Sequence, residues 1–174
     1  MKNNYRKLLI PFAAAILIAC ALPLRAEYTA EGELPDDRQV RKAIDTMFTD
    51  PFSSWAAEAQ NIVLDYSQGS DKIKVVVARG LGFYPDTKYT DMLLAHYIAG
   101  VVKFGLDKPK QAADEQLGAE AGLKAVLDLY KKIRGKEASF YVPELDAAEV
   151  SVKNGKLSIF TGEALARAKK ERGA

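Results

Sequence analysis

"YTDMLLAHYIAGVVKFGL", residues 89–106, holds only four polar side chains: Thr90, Asp91, His96 and Lys103. A helix apolar on nearly every side must be covered on nearly every side by other elements. The stretch therefore predicts the central helix of a helical domain. Asp91, His96 and Lys103 argue against a membrane span, because each is costly in hydrocarbon. Ala95, Ala99 and Gly100 are small enough for a neighbouring helix to approach closely.

Upstream, Leu34-Pro35-Asp36-Asp37 starts a helix, since acids suit its positive end. Val40, Ala43, Ile44, Met47 and Phe48 follow at helical spacing. Asp50-Pro51 ends that helix and opens another. Phe52, Trp55, Ala56, Ala59, Ile62, Val63 and Tyr66 then form one apolar stripe, and its continuity makes Trp55 a core anchor.

Residues 72–84 are ambiguous. Ile73, Val75 and Val77 alternate and are β-branched, as in a strand. Ile73, Val76, Val77, Gly80, Leu81 and Tyr84 also fall at helical spacing, with Ser70 as a cap. The helical surroundings favour the second reading.

Downstream, Asp107–Gln116 is a polar connection carrying Pro109. Leu123, Val126, Leu127, Tyr130 and Ile133 mark an amphipathic helix that Gly135 is placed to cap, after Lys131, Lys132 and Arg134. Beyond Pro143 two readings stay open. Asn154-Gly155 between Val150/Val152 and Leu157/Ile159 signals a β-hairpin. Alternatively Pro143 starts a short helix that Gly155 ends, and a last helix runs through Phe160, Ala164, Leu165 and Ala168.

The fold expected is mainly α: an irregular helical bundle or a short stacked-helix, α-solenoid-like array. It forms one domain over 35–174, with a short β-hairpin near 150–160 as the alternative. Prolines 51 and 85, and again 109 and 143, are 34 residues apart, the length of a tetratricopeptide unit. The other positions of that repeat do not line up, so no repeat family is assigned.

The first 26 residues read as an address. Lys2, Arg6 and Lys7 precede an apolar run from Leu8 to Leu22, and a small-residue site follows at Arg25-Ala26. This is the pattern of a secretory signal peptide cleaved after Ala26, with residues 27–34 a flexible lead-in. The run is shorter than the roughly 20 residues a spanning helix needs. Leu17-Ile18-Ala19-Cys20 offers a competing reading, because it resembles the lipobox of bacterial lipoproteins, whose cysteine is acylated. Export to the periplasm follows from the first reading, and a membrane tether through Cys20 from the second. Contact with a membrane is expected only if Cys20 is acylated.

Removing the leader changes the charge. The chain has 25 Lys+Arg and 23 Asp+Glu, and residues 1–26 hold four of the positives, so the remainder is formally −2. Nothing basic is left to track a nucleic-acid backbone, and no nucleic-acid partner is expected. Cleavage after Ala26 also removes the single cysteine, leaving no disulfide and no thiolate ligand.

Catalytic signals are weak. His96, the single histidine, lies in the near-apolar helix and reads as a hydrogen-bonded core residue. No Gly-x-Ser-x-Gly elbow accompanies it. One histidine without cysteine makes a poor zinc site, and Gly80-x-Gly82 lacks the rest of a nucleotide loop. No cofactor or metal is expected. Asp114/Glu115 and Glu144/Asp146 are the carboxylate pairs that an acid–base mechanism could use, but both fall where connections and helix starts attract acids anyway.

The function expected is therefore non-enzymatic: an adaptor or accessory subunit binding another envelope protein or a peptide. Phe140, Tyr141 and Val142, just after a helix end and beside Pro143, are the candidate partner-binding ridge. The alternative is a periplasmic carrier that holds a small hydrophobic ligand between helices, around Tyr97 and Phe104.

Overall fold

The computed structural model describes residues 34–81 and 87–172. The leader, the cleavage site after Ala26, Cys20, Gly82 and Tyr84 lie outside the described residues. The described chain is an irregular bundle of six α-helices.

The first helix, α1 (Asp37–Thr49), opens with a capping box: the Asp36 carboxylate accepts from Gln39 N at 2.7 Å, and the Gln39 side chain accepts from Asp36 N at 2.8 Å. It buries Val40, Ala43, Ile44 and Met47, the expected face. After residues 50–53, α2 (Ser54–Gly69) turns back and buries Ala56, Ala59, Val63 and Tyr66. Trp55 does not join them. It is 70% exposed, and the reading of it as a core anchor is corrected. It sits on the edge of the stripe with Ile62, seven residues on, which is half-buried.

Residues 71–78 then run without regular structure into a 3₁₀ turn at Arg79–Leu81, against the helical reading. Three consecutive β-branched residues, Val75 to Val77, disfavour a helix, and no strand pairs with them among the described residues. Side chains hold the segment instead. Ile73, Val76 and Ala78 are buried, and the Val76 carbonyl accepts from the Tyr97 hydroxyl at 2.6 Å.

The central helix is α3 (Thr90–Asp107), with ten buried residues. It packs most extensively on α4 (Glu115–Lys136), and also meets α1 and α2. Glycine makes the α3–α4 crossing possible. A Cβ on Gly100 would stand 2.7 Å from the Ala121 carbonyl, and one on Gly122 would stand 2.6 Å from the Tyr97 ring. The small-residue reading of Gly100 therefore holds. Gly135 does not cap α4; it lies inside the last turn, and Glu137 N closes the end on Ile133 O at 2.8 Å.

The β-hairpin near 150–160 does not form. Helix α5 (Pro143–Lys153) and helix α6 (Leu157–Arg172) meet at Asn154-Gly155, where Gly155 takes φ +67°. The turn residues were a true signal, but they join helices. Burial decides it: Leu145 and Ala148 on α5, and Leu157, Thr161, Ala164 and Leu165 on α6, are spaced for helical faces. Helix α6 packs on α4 and on the 3₁₀ turn, where Gly80 comes against Ala164.

Candidate functional site

The expected partner ridge is mostly inside the protein. Phe140 is buried and meets Tyr89 and Tyr130 edge-on, with ring centroids 4.9 and 5.8 Å apart. Val142 is buried too, and its N–H donates to the Tyr130 hydroxyl at 3.1 Å, which in turn donates to Asp146 at 3.2 Å. Burial pushes the Tyr130 phenol above its ordinary value. Only Tyr141 of the three is exposed, at 63%.

The two candidate pocket residues differ in burial. Tyr97 is fully buried against Gly122, with its hydroxyl on the Val76 carbonyl. Phe104, two turns along α3, is half-buried.

His96 is buried between α1 and α3. Nδ1 lies 2.9 Å from the Met92 carbonyl and Nε2 lies 3.2 Å from the Met47 carbonyl. Burial lowers its pKa below 6.5, with nearby Lys132 acting in the same direction. A neutral imidazole carries one N–H, so it donates to one of these carbonyls at a time. The residue ties two helices together, as its apolar setting suggested.

Three of the four carboxylates in the candidate pairs have structural partners. Asp114 caps α4 by accepting from Gln116 N and Leu117 N, each at 3.0 Å. Glu115 lies between Lys74, at 2.5 Å, and Lys169, at 3.1 Å, which hold its carboxyl below the usual range. It thereby fastens the irregular segment and α6 to the start of α4. Asp146 serves Tyr130 and Arg134, and Glu144, two residues before it, is exposed. Among the described residues, no group of three or more His, Cys, Asp or Glu could hold a metal ion. None of their helices is long and apolar enough to cross a membrane.

A groove of about 1000 Å³ lies between α1 and α2. Ala43, Ala59 and Ile62 give it an apolar floor, and Trp55 stands at its wall. Its charged lining is Lys42, Asp45, Asp50 and Glu58, all exposed. Small alanines on both helices leave the depression, while Trp55 rises beside it. Reading the stripe of α2 as one continuous face hid this arrangement. Glu58 one turn after Trp55, and the polar pair Ser53-Ser54 before it, were the signal that Trp55 sits at the edge.

The chain matches no known protein family, no curated protein and no solved structure.

Proposed function

We propose that the chain is exported to the cell envelope and acts there, without catalysis, as an adaptor that docks a protein segment in the α1–α2 groove. The observation that carries this reading is Trp55, a large aromatic side chain 70% exposed beside an apolar floor. Tryptophan is highly buried on average and is enriched where interfaces concentrate their energy. A groove between two helices, floored by small residues, suits an amphipathic segment that inserts its apolar side chains. The leader pattern supports the location.

The test is crosslinking in intact cells followed by mass spectrometry, on the wild type and on Trp55→Ala. One protein adduct that weakens in the variant supports the docking reading. An adduct unchanged by Trp55→Ala, or no adduct, contradicts it. The N-terminal peptide in the same spectra tests export: a chain starting at Glu27 supports cleavage, and an acylated Cys20 replaces it with a lipid tether.

A further inference from the structure

The charge lining the groove says what kind of segment it takes. Asp45, Asp50 and Glu58 face it, and none makes an ion pair among the described residues. The lining thus carries three exposed carboxylates against a single lysine. Lys42 is the one cation of the lining. Lys132, near the far end of α1, is engaged with the carbonyls of Phe48 and Thr49. Asp50 also sits at the C-terminal end of α1, where the helix dipole adds negative potential. Trp55 offers a ring face to a cation, the strongest such face among the side chains.

We infer that the groove selects a cationic amphipathic segment, whose apolar side chains lie on Ala43, Ala59 and Ile62 while its lysines or arginines meet Asp45, Asp50 and Glu58. This rests on the docking reading and adds the sign of the partner's charge. The same carboxylates repel an acidic segment of equal apolarity, so the groove discriminates by repulsion as well as attraction.

The chain has one tryptophan, so its fluorescence reports on the groove directly. The probes are two helix-forming peptides of about 15 residues with the same leucine positions, one otherwise lysine-rich and the other glutamate-rich. They are titrated into the whole protein at low salt. The lysine peptide is expected to shift Trp55 emission to the blue saturably and to bind at least about tenfold more tightly than the glutamate peptide. Salt should narrow that difference. The double variant Asp45→Lys/Glu58→Lys, at two exposed positions, should reverse the order, with circular dichroism confirming that the helices remain. Equal binding of both peptides, or an order the variant leaves unchanged, overturns the charge selection while leaving the groove as a docking site. No response of Trp55 to either peptide overturns both.

Discussion

The Tyr97 hydroxyl donates to the Val76 carbonyl at 2.6 Å, and both groups are buried. The bond joins the central helix to a segment that has neither helix nor strand to satisfy its main chain. Tyr97→Phe keeps the ring against Gly122 and leaves that carbonyl without this donor. The expected cost is about 1–3 kcal/mol, read from urea unfolding. Unchanged stability would mean that the carbonyl reaches solvent once the phenol is gone.

Glycines at two places on the main helices should respond in opposite directions. Gly100→Ala sets a methyl 2.7 Å from the Ala121 carbonyl and 2.8 Å from Gly122 Cα, both main chain and slow to yield. It should destabilise by about 1–3 kcal/mol despite alanine's better helix propensity. Gly135→Ala meets nothing within 4 Å and lies within α4. It should stabilise by about 0.5 kcal/mol. Thermal melts of the two variants check both signs.

His96 should make stability pH-dependent above the range where carboxylates titrate. Its folded pKa lies below the ordinary 6.5, so the unfolded chain takes up the proton first. Stability then rises with pH. The contribution is present in full above 6.5 and is lost as pH falls from there through the folded value. The slope is at most about 1.4 kcal/mol per pH unit for one proton. Denaturant midpoints between pH 7.5 and about 5.5 should fall for the wild type and stay flat for His96→Gln. Asp107, Glu115 and Glu137, held low chiefly by Lys103, Lys74 and Lys88, act on the acid side of that window. Equal slopes in the two proteins would show that His96 is not the titrating group.

Trp55 provides a direct check on the edge of α2. Emission from the single tryptophan should lie at the red, water-exposed end and be quenched readily by iodide and acrylamide. Protected, blue emission in the free protein would place Trp55 in the core and remove the wall of the groove.

What could be read ahead of the structure follows from how strongly each stretch constrains its surroundings. Residues 89–106 are apolar on almost every side, so their central position follows from burial alone. The face of α1 follows from Val40, Ala43, Ile44 and Met47. Residues 72–84 read two ways because β-branched composition and helical spacing point to different elements, and over 72–78 the chain forms neither. Asn154-Gly155 marks a turn in strands and helices alike, so only the burial of Leu157 and Ala164 separates the two. Trp55 was misplaced because an apolar residue at the edge of a stripe shares the periodicity of its centre. The groove was hidden for a further reason: it depends on how α1 and α2 lie against each other, which periodicity within one helix does not contain.

The central claim is that the groove between α1 and α2 is the docking surface. A photocrosslinking amino acid placed at Thr46, in the groove, and in a second protein at Ala166, exposed on α6, tests it in living cells. The account predicts a discrete protein adduct from position 46 and none from position 166. Adducts of equal strength from both positions, or an adduct from position 166 alone, would contradict it.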